Sequence, residues 1–161
     1  MKAVSLTEIK KELKHLSNEE LVQLCLRLSK FKKENKELLT YLLFESHNED
    51  GFIENIKSYI DEQFELINTN SYFYIKKSVR KILRNIKKFA RYSLKKETEV
   101  ELLLYFCKKL KTFQPSIKHN VTLTNIFDRQ ILHTQKIVSA LHEDLQYDYN
   151  LLLEELKDQD F

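Results

Sequence analysis

The chain has 161 residues, of which 42% are hydrophobic and 32% charged, and its 27 basic and 24 acidic side chains leave a formal charge of only +3. This length suffices for one domain with its own core, so the sequence predicts a single domain over 1–161 with a frayed tail at 157–161. With one glycine, Gly51, and one proline, Pro115, the chain cannot form P-loops, dinucleotide-binding loops or nucleophile elbows, which need several glycines.

The N-terminal segment predicts two capped helices and a third helical segment. Ser5 with Glu8, and Ser17 with Glu20, match the capping box, in which a hydroxyl and a carboxylate bind free backbone N–H groups at a helix start. Helices are therefore expected to begin near Leu6 and Asn18. Asn35 can cap a further helical segment, KELLTYLLFES.

The middle of the chain predicts a loop and two amphipathic helices. The loop spans 47–51, and apolar residues at helical spacing follow over 52–67. From 71 to about 94, apolar residues recur three and four positions apart, as on one packed face of a helix. This is the longest periodic pattern in the chain.

The C-terminal third predicts two or three helices. One helix is expected over 97–113, and it should end at Gln114 because the residue before a proline disfavours helix. A loop is expected over 119–124. The apolar pattern over 126–153 fits one long helix or two helices with a break near Asp144.

These elements predict an all-α fold of six or seven helices. Two arrangements fit equally well: an irregular antiparallel helical bundle, or a short, solenoid-like stack of helical hairpins. Both cysteines lie in apolar patterns and are expected in the core. The predicted core includes Leu24, Cys25, Leu28, Ile56, Ile60, Val79, Ile82, Ile86, Leu103, Cys107 and Leu141.

The opening residues carry a resemblance to known families. The segment SLTEIKKELKHLSNEELVQLCLRLSKFKKENKELLTYLL resembles the start of uncharacterised bacterial all-helical domain families. In these families a leucine-patterned Lys/Glu helix precedes a Ser/Asp-x-Glu-Glu-Leu helix start. The resemblance covers about the first 43 residues, and it implies a helical fold and a bacterial cytoplasmic setting without transferring any functional residue.

Charge is strongly segregated along the chain. Residues 45–70 carry 7 acidic and 1 basic side chain, whereas residues 71–96 carry 10 basic and no acidic side chains. At about 100° per residue, nine of these cations fall within an arc of roughly 140° opposite the apolar face. They are Lys76, Lys77, Arg80, Lys81, Arg84, Lys87, Lys88, Arg91 and Lys95. We call this set the basic face.

Two interpretations of the basic face follow from the sequence. In the first, Lys and Arg neutralise the phosphates of a nucleic acid, and Tyr72, Tyr74 and Tyr92 stack on bases. In the second, the basic face has a structural role only: the acidic helix at 52–67 packs beside the basic helix and neutralises it, or the cations form a solvated surface. The acidic partners would be Glu54, Asp61, Glu62 and Glu65.

The sequence contains no recognisable catalytic or metal-binding motif. None of its five histidines fits an H-E-x-x-H pattern, and only His15, three residues after Glu12, has the Glu-x-x-His spacing, which a di-iron site needs on two helices. His142, Glu143 and Asp144 are adjacent, but neighbouring helical residues point about 100° apart and cannot meet one substrate. We therefore expect a non-enzymatic protein that needs no cofactor. An unrecognised enzyme is the least favoured of the hypotheses.

The expected partners follow from charge and hydropathy. Nucleic acid is the first hypothesis for the basic face, and an acidic protein or a second copy of the chain in a homodimer is the alternative. No run of residues approaches the roughly 20 apolar positions of a membrane span, and MKAVSLTEIKKELKHL lacks the features of a signal peptide. We therefore expect a cytoplasmic binding or scaffolding module without membrane contact.

Overall fold

The computed structural model describes residues 1–158, and this part of the chain contains eight α-helices and no strand. The predicted all-α fold is confirmed, with more helices than the six or seven expected. The helices are α1 (Leu6–Leu13), α2 (Asn18–Phe31), α3 (Lys33–Thr40), α4 (Glu49–Glu65), α5 (Tyr72–Ser93), α6 (Lys96–Lys111), α7 (Val121–Val138) and α8 (Glu143–Asp158). Of the tail predicted at 157–161, residues 157 and 158 belong to α8, and 159–161 lie outside the described residues.

The chain divides into two compact units, Met1–Phe44 and Glu45–Phe161, where the sequence predicts one domain over 1–161. We call them unit 1 and unit 2. A π-helical turn, Tyr41–Glu45, follows α3 directly and contains the boundary. The sequence pattern does not reveal this boundary because no glycine, proline or polar linker marks it.

Unit 1 begins with the two predicted capping boxes. The hydroxyl oxygens of Ser5 and Ser17 each accept the backbone N–H of the glutamate three residues later. In turn, the carboxylate of each glutamate accepts the backbone N–H of the serine. Helix α3 begins at Lys33, three residues before the start that a cap at Asn35 predicts. Asn35 does not cap it, since its Nδ2 donates to the carbonyl oxygen of Leu28 at 2.8 Å.

Unit 1 has little buried core. Among residues 1–44, Tyr41 is the one buried residue. The predicted core residues Leu24, Cys25 and Leu28 are exposed, so those predictions are wrong. Helix α2 is apolar around more than half of its circumference, and α3 packs against one side of it, which leaves the rest of its apolar surface uncovered.

Unit 2 begins with a helix start that the sequence missed. The predicted loop at 47–51 is largely helical, because α4 starts at Glu49 and Asn48 caps it through Oδ1, which accepts the N–H of Gly51 at 3.1 Å. A Cβ at position 51 would lie 2.5 Å from Nδ2 of Asn48. The glycine therefore makes room for the cap instead of breaking the helix.

The later boundaries also differ from expectation. The predicted loop at 119–124 is short: a 3₁₀ turn spans Ile117–His119, Asn120 caps α7, and Val121 is already helical. The pattern over 126–153 contains two helices, and the break lies at 139–142, just before Asp144. Asn120 marks the start of α7 because its Oδ1 accepts the backbone N–H of Leu123.

Contacts between helix ends define the direction of the helices in unit 2. Glu49 at the start of α4 binds Ser93 at the end of α5 and Thr98 at the start of α6, so α5 runs antiparallel to both. Glu101 and Lys111 of α6 contact Tyr149 and Leu156 of α8 in the same order, and Glu99 of α6 contacts His133 late in α7. Helices α4, α6 and α8 therefore run in one direction, and α5 and α7 run in the other.

Helix α6 is the centre of unit 2, packing against α4, α5, α7 and α8. It is buried on several sides, from Thr98 and Val100 to Leu110, as expected of a helix with neighbours all around. The core predictions for unit 2 are confirmed except at Leu141, which is half-buried in the connection before α8. The confirmed residues are Ile56, Ile60, Val79, Ile82, Ile86, Leu103 and Cys107.

Candidate nucleic-acid interface

Helix α5 separates its apolar and basic residues cleanly. Its 22 residues span about 33 Å at 1.5 Å per residue. One face buries Ile75, Val79, Ile82, Ile86 and Ala90, none of them more than 6% exposed. Because this face is fixed against α4 and α6, the opposite face points away from the core.

Most cations of the basic face are accessible and lack an acidic partner among the residues that the structure describes in unit 2. Lys77, Arg80, Lys81, Arg84 and Arg91 are exposed, and Lys76 and Lys87 are partly exposed. Among the described residues of unit 2, no carboxylate lies within 4 Å of the charged nitrogens of these seven side chains. Lys88 lies over the ring of Phe89, with its Nζ 4.9 Å from the centroid.

Lys95 does not belong to the helical face on which the sequence placed it. Leu94 adopts a left-handed conformation at φ 61° and ends α5, so Lys95 leaves the helical register. Its Nζ forms an ion pair with Oε2 of Glu49 at 3.0 Å. The ammonium therefore helps to fix the α5–α6 turn.

The acidic residues of α4 have partners other than the basic face. Oε1 of Glu54 pairs with Nζ of Lys57 in the same helix at 2.8 Å, and Oδ1 of Asp61 pairs with Nζ of Lys109 of α6 at 3.0 Å. Glu62 and Glu65 are exposed and form no ion pair within the described part of unit 2. These four carboxylates therefore do not form the salt-bridge lattice of the alternative hypothesis.

Asp61 is tied to α6 by hydrogen bonds as well as by charge. The hydroxyl of Tyr105 donates to both of its carboxylate oxygens, at 2.9 and 2.7 Å. Partial burial acts to raise the pKa of Asp61, but the bonds from Tyr105 and Lys109 outweigh it and hold the pKa below its ordinary value. Asp61 is thus an ionised bridge between α4 and α6.

Aromatic residues near the basic face differ from those that the sequence suggested. Tyr72 is half-buried and its hydroxyl donates to the carbonyl oxygen of Ser116 at 2.9 Å, whereas Tyr92 is buried and its ring is not accessible to a ligand. Tyr74 is exposed, and so is Phe73, which the sequence analysis did not include among the residues expected to stack on bases. The helical angle of Phe73, which places it among the cations rather than among the apolar residues, could have identified it.

Unit 2 also contains a pocket of about 420 Å³ between α4, α6 and α8. Two of its charged groups bind one another, since Oε2 of Glu101 contacts Nζ of Lys57, and Oε1 of Glu101 accepts the hydroxyl of Tyr149. Burial, assisted by neighbouring carboxylates, raises the pKa values of Tyr105 and Tyr149 to about 12. Neither hydroxyl would act as a base near neutral pH.

The remaining titratable candidates from the sequence are dispersed. Burial raises the pKa of the Cys107 thiol to about 12, which suits a core residue rather than a nucleophile. Nε2 of His133 lies 3.1 Å from Oε1 of Glu99, and His142 contacts Asp144 at the surface. Across residues 1–158, no three His, Cys, Asp or Glu side chains are grouped to hold a metal ion.

Comparison of the chain with protein-family models, with curated proteins and with solved structures finds no match. Within residues 1–158, each helix is too short or too polar to span a membrane. The resemblance noted for residues 1–43 stays a prediction.

Proposed function

We propose that this protein binds nucleic acid through the basic face of α5. The observation that carries the proposal is the set of seven cations, from Lys76 to Arg91, that have no carboxylate partner within the described part of unit 2. A rigid helix holds them in a strip of about 22 Å, fixed by the buried apolar stripe on its other side. Such a strip matches the regularly spaced charges of a phosphate backbone.

The energetics of the strip support an external anion. Like charges four residues apart on a helix destabilise it by about 0.2–0.5 kcal/mol per pair, and this face contains several such pairs, including Lys76 with Arg80 and Arg80 with Arg84. The nearby acidic helix does not relieve this repulsion, because Glu54 and Asp61 have other partners. Phosphates would relieve it and would release condensed counterions.

The test is binding to fluorescent single-stranded and duplex oligonucleotides across a salt series. If about five phosphates are neutralised, the log–log slope should be about −3.5 for single strands and about −4.5 for duplex DNA. A variant with glutamine at five exposed positions should lose binding at every salt concentration. The positions are Lys77, Arg80, Lys81, Arg84 and Arg91.

A matched variant controls for net charge. It carries the same five charge losses at exposed lysines outside α5, and it should retain the wild-type affinity and slope within about twofold. The control positions are Lys2, Lys10, Lys11, Lys14 and Lys118. Equal losses in the two variants would contradict a specific role for α5, and no binding by the wild-type protein at low salt would contradict the function.

Unit 1 supports self-association as a second candidate function. Leu24, Leu28 and Phe31 form one stripe on α2 and are 39%, 53% and 77% exposed. A contiguous apolar surface of this kind favours an intermolecular contact. The charges of α2 indicate a second copy as the occupant, because Glu19 and Glu20 lie at its start and Arg27 and Lys30 near its end. Two copies packed antiparallel would place unlike charges together around a twofold axis.

Sedimentation equilibrium tests this second candidate. We expect a dimer at micromolar concentrations, and we expect the Leu24→Glu, Leu28→Glu double variant to be monomeric. Leu132→Glu, on an exposed position of α7, is the matched control and should remain dimeric. If the wild-type protein is monomeric at about 100 µM, self-association is ruled out as a function. That result excludes any dimer with a binding free energy stronger than roughly −5 kcal/mol.

A further inference from the structure

We propose that the basic face selects single-stranded over duplex nucleic acid, and that the exposed ring of Phe73 stacks on an unpaired base. This inference rests on the proposed nucleic-acid binding by α5 and adds to it the form of the ligand. It depends on Phe73, which belongs neither to the buried apolar stripe of α5 nor to its cations.

Phe73 lies in line with the arginines of the basic face. It is the second residue of α5, and at 100° per residue its angular position falls within about 20° of Arg80, Arg84 and Arg91. The rise of 1.5 Å per residue places it about 10 Å from Arg80 along the helix axis. A strand that follows the arginines towards the start of α5 therefore reaches the ring.

The ring of Phe73 is accessible and is not part of the core. It is 66% exposed, whereas the residues of the buried stripe on the same helix are at most 6% exposed. Its one close aromatic neighbour within residues 1–158 is Tyr74, at 5.4 Å between centroids and with an interplanar angle of 79°. Tyr74 is itself 46% exposed. The rings of Phe73 and Tyr74 thus form an exposed aromatic pair at the N-terminal end of the basic face.

This combination favours a single strand for a steric reason. In a duplex the faces of the bases are covered by their neighbours, and only their edges are presented in the grooves. An aromatic side chain can stack on a base that is unpaired and splayed out. Single-strand-binding surfaces combine a cationic track with aromatic stacking, and each stacked base contributes about 1–3 kcal/mol.

The basic face has no amide side chain free to recognise adenine, and its arginines carry no sequence information while they are bound to phosphates. Asn85, the one amide side chain of α5, donates through Nδ2 to the hydroxyl oxygen of Tyr59 at 2.6 Å. An asparagine free to form two bonds can recognise adenine, but this one is already bound. Stacking accepts any base, so we expect weak dependence on sequence.

The experiment compares a Phe73→Ala variant with the wild-type protein on two fluorescent probes of about 20 nucleotides, which exceeds the site size expected of one helix. The probes are single-stranded oligothymidylate and the duplex of oligothymidylate with oligodeoxyadenylate. Phe73→Tyr, which keeps the ring, tests whether stacking is the cause. Tyr147→Ala removes a comparably exposed aromatic ring, 68% exposed on α8, and is the matched control.

We expect Phe73→Ala to weaken single-strand binding roughly 5- to 150-fold, the range that corresponds to one stacked base. Its duplex binding should change less than about twofold, because phosphate contacts remain. Phe73→Tyr should retain most of the single-strand affinity, and Tyr147→Ala should match the wild-type protein on both probes. A fluorescent base analogue in the single strand should be quenched by the wild-type protein and not by Phe73→Ala.

Three results would overturn the inference, and they have different meanings. If the wild-type protein binds both probes with a steep salt dependence and Phe73→Ala binds like wild type, α5 binds nucleic acid without stacking. If the wild-type protein binds neither probe, the proposed function fails together with this inference. Equal weakening on both probes by Phe73→Ala would also contradict it, because the ring would then support the fold of α5 instead of a base.

Discussion

Helices α4 and α5 pack together and carry opposite charge, but they differ in whether their charged residues have partners within the fold. Asp61 of α4 is held by Tyr105 and Lys109 of α6, whereas Arg80 and Arg84 of α5 have no acidic partner in the described part of unit 2. The apolar stripe of each helix must face the core, and this requirement fixes the rotation of the helix. This rotation also fixes the directions in which the charged residues point, whether or not it brings the acidic residues of α4 close to the basic residues of α5.

The difference between the two helices matters for function. A carboxylate that joins α4 to α6 contributes to the fold, and its removal should reduce stability. A cation on the outer face of α5 contributes repulsion to the fold, and its removal should reduce binding instead. Stability and binding measurements on the same variants therefore separate the two roles.

The largest expected effect concerns the buried stripe that orients the basic face. Ile86 is 0% exposed, and Ile86→Ala should lower the free energy of unfolding by about 2–5 kcal/mol, through lost burial and the cavity that remains. Urea denaturation followed by circular dichroism measures it. A loss below about 1 kcal/mol would indicate that this side of α5 is not held in a packed core.

An intermediate effect is expected at the α4–α6 bridge. Tyr105→Phe removes the donor to Asp61 and should reduce stability by about 1 kcal/mol at neutral pH. The folded-state pKa of Asp61 lies below its ordinary value of 3.8, so its contribution is present above about pH 4 and is lost as the pH falls through the folded-state pKa.

The pH dependence of stability serves as the control for the Tyr105→Phe prediction. The stability difference between Tyr105→Phe and the wild-type protein should be constant from about pH 5 to 7 and should narrow below about pH 4, because protonated Asp61 accepts a weaker bond. Urea midpoints over this pH range measure it. A difference that does not change with pH would mean that Tyr105 acts through packing and not through the carboxylate.

The smallest expected effects have opposite signs in the two regions. Lys109→Gln removes the partner of Asp61 and should lower stability by a few tenths of a kcal/mol, up to about 1. Arg84→Gln removes two like-charge pairs, with Arg80 and with Lys88, and should raise stability by about 0.4–1 kcal/mol. Both effects should shrink at high salt. Destabilisation by Arg84→Gln would imply an intramolecular partner for this arginine.

Local rules predicted much of the helical structure. Both capping boxes were predicted from Ser5 and Ser17, because a helix start depends on residues within one turn. The stripe from Ile75 to Ile86 was equally predictable, since its period is set by the geometry of the helix. The helix starts at Glu49 and Val121 were missed, because the capping asparagines Asn48 and Asn120 lie in segments that resemble loops.

The sequence by itself determined that α5 is helical and amphipathic and that one of its faces is basic, since these properties depend on the order of residues along one helix. Only the tertiary structure decided whether those charges have partners. The same is true of Cys25 and Leu28, whose apolar pattern predicts burial although α3 covers only one side of α2. Burial and ion pairing depend on which neighbouring element lies opposite a face, and no local pattern encodes that neighbour.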